Sequence, residues 1–329
     1  MDPIQRITER AKQTPRTIVL PEGNDPRTWT AARKIADEAI AVPIILGTDG
    51  ECEQAMNDAG VNNVAGITMI CPQSSEKREV YAEEFAKIRA HKGMTVEQAR
   101  EIMKDVLYYG AMMVRMGDAD GGVTGAAHTT GDVMRAAIQA IGMAPGISIV
   151  SSIFLMVIPD GRVFSFGDCA IVPDPDAQQL ASIAVASAAT HKALTNTAPI
   201  VAMLSFSTKG SASHPAADKV IEATKLAQAA APDVAIDGEM QLDAAILESV
   251  GSKKAPGSKV AGHANVLVFP DLNAGNIGYK LTQRLANAQA IGPVVQGLAK
   301  PFYDLSRGCS ADDIVKLSAI SSVVASSQE

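Results

Sequence analysis

The chain has 329 residues, more than one hydrophobic core usually supports, so two domains are expected. Its 29 Lys and Arg residues against 36 Asp and Glu residues give a formal net charge of −7, which argues against a nucleic-acid partner. Hydrophobic residues make up 47% of the chain and aromatic residues only 4%, which favours aliphatic parallel strands buried under helices and excludes global disorder.

The N-terminal segment, residues 1–13, is predicted to be an amphipathic helix, because Ile4, Ile7 and Ala11 recur at helical spacing among charged residues. It does not have the pattern of a signal peptide. The most apolar stretch, residues 147–158, contains serines and is too short to cross a bilayer. The cysteines are few and lack metal-ligand spacing, which fits a reducing compartment, so we expect no disulfides. Together these features predict a soluble cytoplasmic protein without membrane contact.

The first half of the chain alternates short aliphatic runs with segments of helical period, which is the βαβ pattern. The predicted strands are residues 17–20, 43–46 and 67–70. The predicted helices are near residues 26–40, 50–60, 75–90 and 95–116. Arg89 lies at the end of the third of these helices, where its charge either binds an anion or complements the helix dipole.

A short strand near residue 121 is predicted to run into a loop of small residues and hydroxyls and then into a helix that contains Thr130 and Arg135. Such a loop places backbone and hydroxyl donors close to any ligand above the strand end. The loop has neither the GxGxxG spacing of dinucleotide sites nor a GxxxxGK[ST] phosphate loop. His128, within it, is more often a structural residue than a catalyst.

After Pro145-Gly146 the pattern restarts and predicts a second α/β unit. Its predicted strands are residues 147–158, 162–166, 200–206, 234–237 and 265–269. Its predicted helices are near residues 176–195, 214–231, 241–250 and 274–289. The basic segment 252–259 is predicted to be a surface loop.

Two loops of this second unit carry candidate substrate-binding side chains. Ser207 and Lys209 follow one predicted strand, and Asn273 and Asn276 follow another. Open α/β sheets bind ligands at the carboxyl ends of their strands. The alternative for each loop is a plain strand-to-helix connection.

Residues 296–315 carry the densest chemistry of the chain. Ser310 followed by Asp313 and an apolar run predicts a helix N-terminus with a capping box. Ser306 and Arg307 precede it, so free backbone N–H groups and a guanidinium would meet a phosphate or an oxyanion there. The alternative is a simple cap beside a solvated arginine.

Seven segments together resemble the phosphate acetyltransferases, or phosphotransacetylases, of the phosphate acetyl/butyryltransferase family. They are Ala90-His91-Lys92-Gly93, Gly125-Ala126-Ala127-His128, Gly167-Asp168-Cys169-Ala170, residues 204–211, Ala235-Ile236-Asp237-Gly238-Glu239, residues 269–276 and Leu305-Ser306-Arg307-Gly308-Cys309-Ser310. The resemblance implies reversible acetyl transfer between acetyl phosphate and coenzyme A, with coenzyme A as a substrate and no further cofactor or metal. It also implies a homodimer.

The resemblance further implies two α/β domains with mainly parallel sheets and an active-site cleft between them. The expected domain I is residues 1–144 plus 297–329, since the C-terminal segment returns to it, and domain II is residues 145–296. Arg89 and Arg135 would hold anionic groups around the site. Thr130 stands where many members of the family have serine, so its hydroxyl is expected to serve the same purpose.

The resemblance assigns three catalytic roles, to Asp313, Ser306 and Arg307. Asp313 would be the base toward the coenzyme A thiol, Ser306 a donor to the carbonyl oxygen or the leaving phosphate, and Arg307 the ligand of acetyl phosphate. Cys309 has a sequence environment that lowers a thiol pKa, being near a helix N-terminus and Arg307. We nevertheless expect no acyl-cysteine, because no histidine is near it in sequence and coenzyme A supplies its own thiol.

Two alternative functions remain open at this point. A phosphate butyryltransferase-like enzyme would share the chemistry and differ in the volume of its acyl pocket. A non-catalytic regulatory module is the other alternative, because related domains occur fused to malic enzymes. The presence of all three catalytic side chains argues against the second.

Overall fold

The computed structural model describes residues 3–328. Numbered along the chain, the helices are α1 Pro3–Gln13, α2 Pro26–Asp37, α3 Asp49–Asp58, α4 Arg78–Ile88, α5 Val96–Ile102, α6 Val106–Met116, α7 Thr130–Ala140, α8 Ala177–Thr195, α9 Pro215–Ala230, α10 Leu242–Ile246, α11 Glu248–Lys254, α12 Leu272–Leu285 and α13 Ala311–Ser326. The strands are β1 Thr17–Leu20, β2 Val42–Leu46, β3 Thr68–Ile70, β4 Gly121–Thr124, β5 Ser151–Val157, β6 Val163–Gly167, β7 Ile200–Leu204, β8 Ala235–Met240, β9 Val266–Val268, β10 Gln289–Gln296 and β11 Phe302–Asp304.

The chain divides into two compact units, Met1–Gly142 with Leu298–Glu329, and Met143–Gly297. The first unit is built on a five-stranded parallel sheet in the order β11-β4-β1-β2-β3. One helical layer on this sheet contains α1, α2 and α13, and another contains α4, α6 and α7. Strand β1 lies at the centre, and its Ile18, Val19 and Leu20 are fully buried, as expected for a strand covered on both faces.

The second unit has a six-stranded sheet in the order β10-β5-β6-β9-β7-β8. Its two outermost pairs at the β10 end are antiparallel, and the remaining pairs are parallel. One aliphatic core contains Ile183, Val201 and Val266 from α8, β7 and β9, and a second core contains Phe166 and Met240. The predicted fold class, α/β with mainly parallel sheets, is confirmed.

Several element boundaries differ from the sequence prediction. The helix expected over residues 95–116 is two helices, because Asp105 caps a new N-terminus by accepting from the backbone N–H groups of Leu107 and Tyr108. The helix expected over residues 241–250 is likewise two, α10 and α11, and α11 continues into the basic segment that was expected to be loop. Strands β10 and β11 were not predicted.

The cysteines at 52, 71, 169 and 309 are all free thiols. Among the helices of residues 3–328, none combines the length and the hydropathy that a bilayer-crossing segment requires.

Candidate active site

The candidate site of the first unit lies where three neighbouring strands end. Strands β11, β4 and β1 are adjacent and parallel, so the loops that follow them leave the sheet at the same edge. These loops carry Ser306 and Arg307 after β11, His128 after β4 and Glu22 after β1. Ligands of open α/β sheets bind at this edge.

The predicted capping box at the start of α13 is present. Ser310 Oγ accepts from the backbone N–H of Asp313, while Asp313 Oδ2 accepts from the backbone N–H of Ser310 at 2.9 Å and from its hydroxyl at 2.8 Å. The Asp313 side chain is 46% exposed, and its Oδ1 lies 3.9 Å from Lys316 Nζ. One carboxylate oxygen therefore serves the cap, and the other lies nearest to the partly exposed Lys316.

Ser306 and Arg307 are both exposed on the loop between β11 and α13. Ser306 Oγ accepts a long hydrogen bond, 3.3 Å, from the backbone N–H of Gly308. Within residues 3–328, the Arg307 guanidinium forms neither an ion pair nor a hydrogen bond. An unpaired guanidinium next to a helix N-terminus is a suitable ligand for an anion.

Arg27, near the start of α2, holds two of these loops together, and sequence reasoning missed it. Its Nη1 donates to the backbone oxygens of Arg307 and Cys309, each at 2.8 Å, and its Nη2 donates to that of Ala126 at 2.8 Å. Asp25 forms an ion pair of 2.6 Å with the same guanidinium and raises its pKa. One side chain thus fixes the loop after β4 relative to the loop after β11.

Glu22 is a buried carboxylate, 2% exposed, that organises the loop after β4. It accepts from the backbone N–H groups of Ala126, Ala127 and His128 at 2.8 to 2.9 Å and from His128 Nδ1 at 2.8 Å. Burial alone would raise the pKa of Glu22, but the bonds from His128 and the backbone outweigh it and lower the pKa. The same bond from Glu22 raises the pKa of His128. Glu22 thus holds both the backbone and the side chain of His128 in this loop.

Asp304, the last residue of β11, is a second buried carboxyl group, 6% exposed. Thr130 Oγ1, at the first position of α7, donates to its Oδ2 at 2.6 Å. Burial raises the pKa of Asp304 to about 6, with a smaller contribution from the charge of Glu22, while the bond from Thr130 acts in the opposite direction. Sequence reasoning identified Thr130 but not its partner.

Burial is the largest effect on the phenol of Tyr108 and raises its pKa, while the charges of Arg135 and Arg89 both act on it in the opposite direction. Arg135 forms an exposed ion pair of 2.8 Å with Asp132 one turn earlier in α7. Arg89 ends α4, and its Nε is buried without a hydrogen-bond partner in the described chain. Both predicted anion ligands thus act electrostatically on one phenol of the first unit.

Cys309 does not have the environment that its position in the sequence suggested. Burial raises the pKa of its thiol, and the nearby Arg27 charge opposes this effect without overcoming it, while Asp313 adds to it. The expectation of a lowered thiol pKa was therefore wrong. A thiol with a raised pKa is a poorer nucleophile at neutral pH.

The candidate residues of the second unit all lie in loops or helix starts after strands. Ser207 is buried and donates to Glu239 Oε1 at 2.8 Å, and Lys209 forms an ion pair with Asp237. Asn276 Nδ2 donates to the Cys169 carbonyl at 3.1 Å. Asn273, near the N-terminus of α12, is exposed. Three of these four side chains thus form hydrogen bonds or ion pairs with residues of the second unit itself.

No group of three His, Cys, Asp or Glu side chains in residues 3–328 has the arrangement of a metal site.

Comparison with known proteins identifies the family. The model of the family described as phosphate acetyl/butaryl transferase matches residues 3–322. The phosphate acetyltransferase of Thermoanaerobacterium thermosaccharolyticum is 53% identical over 99% of this chain and 100% of its own length, and that of Acetivibrio thermocellus is 49% identical over 98% of each. The EutD phosphotransacetylase from Staphylococcus aureus superposes with a TM-score of 0.92 at 46% identity, over 98% of each chain. The chain belongs to the phosphate acetyl/butaryl transferase family.

Proposed function

We propose that the protein catalyses the reversible reaction of acetyl-CoA and phosphate to give coenzyme A and acetyl phosphate. It is an acyltransferase, a phosphate acetyltransferase. The observation that carries this conclusion is the match over the full length of the chain to relatives of that name at 49% to 53% identity. The exposed Ser306 and unpaired Arg307 before the capped helix α13 provide a site of suitable chemistry.

In the proposed mechanism Arg307 binds the phosphoryl group of acetyl phosphate. A guanidinium forms two parallel hydrogen bonds to phosphate oxygens, and the N-terminus of α13 favours the same negative charge. Ser306 donates its hydroxyl proton in a hydrogen bond to the carbonyl oxygen or to the departing phosphate, where charge develops during the transfer. Arg27 supports both residues by holding the backbone of their loop.

Asp313 is proposed as the base toward the coenzyme A thiol. An ordinary aspartate and an ordinary thiol differ by roughly 4.6 pKa units, so proton transfer completed before attack would be uphill by roughly 6 kcal/mol. Proton removal therefore accompanies attack on the carbonyl carbon, with arginines stabilising the developing thiolate. The thiolate attacks directly, within a complex that holds both substrates, because the raised pKa of Cys309 disfavours an acyl-cysteine.

The remaining candidates are proposed to bind the anionic and polar parts of the substrates. Arg89 and Arg135 supply two cations, both of which act on the phenol of Tyr108. Thr130, an exposed residue of the first unit, supplies a hydroxyl. The proposed ligands from the second unit are Ser207, Lys209, Asn273 and Asn276. Lys209 would have to exchange its ion pair with Asp237 for one with a substrate.

The test is to incubate the purified protein with acetyl phosphate and coenzyme A and to measure thioester and inorganic phosphate together. We expect equal amounts of both products and a higher kcat/KM for acetyl phosphate than for butyryl phosphate. A preference for butyryl phosphate would favour the butyryltransferase alternative. No thioester from either compound would contradict enzymatic function and leave the regulatory-module alternative.

We also propose that the protein is a cytoplasmic homodimer and that the two compact units are its domains. Support for a dimer comes from α12, where Ile277, Leu281 and Leu285 follow one another at intervals of four residues. They are 57%, 51% and 78% exposed. A contiguous apolar stripe on a helix is typical of a surface that a partner covers.

A further inference from the structure

Asp304 is a buried carboxyl group that the proposed mechanism leaves unused, although it lies two residues before Ser306. It reaches the exposed side of the site through Thr130, whose hydroxyl lies 2.6 Å from Asp304 Oδ2. Thr130 itself is exposed, so this bond joins the buried carboxyl group to a residue at the surface. The two side chains therefore form a short hydrogen-bonded path from the surface to the carboxyl group.

The surroundings of Asp304 stabilise its protonated form more than those of an exposed aspartate do. Its Oδ1 is buried and has no hydrogen-bond partner in the described chain. Gly125 closes the space beside it, since a Cβ at that position would lie 2.4 Å from Oδ1. An ionised carboxylate has about four acceptor positions, and this one receives the Thr130 bond alone. Burying a charge with so little compensation is costly, so a proton is readily held there.

The charged groups on the elements packed against β11 do not compensate that charge. Asp132 and Arg135 on α7 are paired with each other, as are Asp313 and Lys316 on α13. Glu22, after β1, is paired with His128 and acts on Asp304 as a like charge. Burial, with a smaller contribution from Glu22, raises the pKa of Asp304 to about 6. A dianionic phosphate bound at Thr130 would raise it further, toward the neutral range in which a proton donor is most effective.

The reaction needs a proton at this point. When the thiolate attacks acetyl phosphate, the bond between the carbonyl carbon and the phosphate oxygen breaks. Without a proton the phosphate would leave as a trianion, which is a poor leaving group. Arg307 offsets part of that charge but cannot transfer a proton, because an arginine stays protonated in proteins.

We propose that Asp304 is a positioning residue that acts through Thr130 to protonate the phosphate as it leaves acetyl phosphate, an inference that rests on the proposed function. The sulfur electron pair forms the carbon–sulfur bond, and the electron pair of the broken carbon–oxygen bond stays on the phosphate. That oxygen takes the Thr130 hydroxyl proton, and Thr130 takes the proton of Asp304. The proton released by the thiol restores Asp304 through solvent, so no net proton is gained or lost.

The same path runs backwards in the reverse reaction. When hydrogen phosphate attacks acetyl-CoA, its proton passes to Thr130 and that of Thr130 passes to Asp304, which must then be ionised. The two directions therefore need opposite states of one carboxyl group. We expect forward kcat to fall as pH rises through the pKa of Asp304 in the complex, and reverse kcat to rise through the same pKa.

The experiment compares the parent with Thr130→Val, Thr130→Ser and Asp304→Asn, each measured in both directions from pH 5.5 to 9. Valine has the shape of threonine without the hydroxyl, and asparagine can accept the Thr130 bond but cannot supply a proton. Loss of such proton transfer lowers kcat by roughly 10². We expect this loss of kcat in Thr130→Val and Asp304→Asn, with KM for acetyl phosphate changed less than about threefold. Thr130→Ser should recover most of the lost kcat. In Asp304→Asn, both the fall of forward kcat and the rise of reverse kcat with pH should disappear.

Thr8→Val, a change in α1 at a hydroxyl that bonds the Ile4 carbonyl one turn earlier, is the matched control and should keep the parental kcat. Parental kcat in Thr130→Val, or both pH limbs unchanged in Asp304→Asn, would overturn the proposal. If the thermal midpoint shows that Asp304→Asn does not fold, the Thr130→Val and Thr130→Ser pair decides alone. A parent that forms no thioester at any pH contradicts the proposed function instead, so the two failures are distinguishable.

Discussion

At the scale of single residues, Arg307 is the group on which anion binding depends, because its guanidinium is exposed and has no partner in the described chain. Arg307→Lys keeps the charge but loses the planar pair of donors that matches a phosphoryl group. We expect kcat/KM for acetyl phosphate to fall by roughly 10-fold to 100-fold, as for the loss of a hydrogen bond to a charged group. The measurement is steady-state kinetics with Arg162→Lys, an exposed arginine of the second unit, as the control. A variant as active as the parent would remove Arg307 from the site.

The Glu22 and His128 pair predicts how stability depends on pH. The pKa of His128 is raised from 6.5, so its contribution is full below about 6.5 and is lost as pH rises through the folded value. The pKa of Glu22 is lowered from 4.5, so its contribution is full above about 4.5 and is lost as pH falls through the folded value. The stability lost in His128→Gln should therefore be greatest between about pH 4.5 and 6.5 and shrink on either side. Chemical denaturation of both proteins across pH 4 to 9 measures this difference, and a difference independent of pH would contradict the pairing.

At the scale of an element, the N-terminus of α13 combines a cap with a proposed base, and two substitutions separate them. Asp313→Asn keeps an acceptor for the cap, so the fold should hold while most of kcat is lost with little change in the KM for acetyl phosphate. Ser310→Ala removes the cap and keeps the carboxylate, so stability should fall by about 1 kcal/mol with most of the turnover intact. Thermal midpoints and kcat of the two variants are the measurements. Near-normal turnover in Asp313→Asn would leave Asp313 with the cap alone.

Local sequence patterns were enough to predict the start of α13, whereas contacts between distant parts of the chain could not be predicted from such patterns. The Ser310 and Asp313 capping box is encoded within four residues, and the structure has it. Arg27 donates hydrogen bonds to carbonyls that lie 99, 280 and 282 residues away in sequence. No local sequence pattern predicts partners at such distances. The bond from Thr130 to Asp304 spans 174 residues and was missed for the same reason.

Strand β10 shows a different limit of sequence reasoning. Its segment contains Gly292 and Pro293, residues that usually end a strand. In the fold it is the edge strand of its sheet, and the pairing with β5 shifts register between Ile291 and Val294, so the break falls on an irregularity of the ladder. An edge position tolerates a proline that a central strand would not.

At the scale of the whole molecule, the exposed stripe of α12 predicts the site of self-association. Leu281 lies in the middle of the stripe and is 51% exposed. Leu281→Glu would place a charge in the proposed contact, where desolvation makes it costly, so we expect a monomer. Light scattering after size-exclusion chromatography measures the mass, with Ala229→Glu on the exposed side of α9 as the control. A Leu281→Glu variant that remains a dimer would place the contact elsewhere.

The central claim is that the acetyl group passes directly from acetyl phosphate to coenzyme A in a complex that holds both. Initial rates of thioester formation over a matrix of the two substrate concentrations test it most directly. Double-reciprocal plots should give lines that intersect, because both substrates must be bound before the transfer. Parallel lines would show that phosphate leaves before coenzyme A binds, and an acyl-enzyme would then replace direct attack.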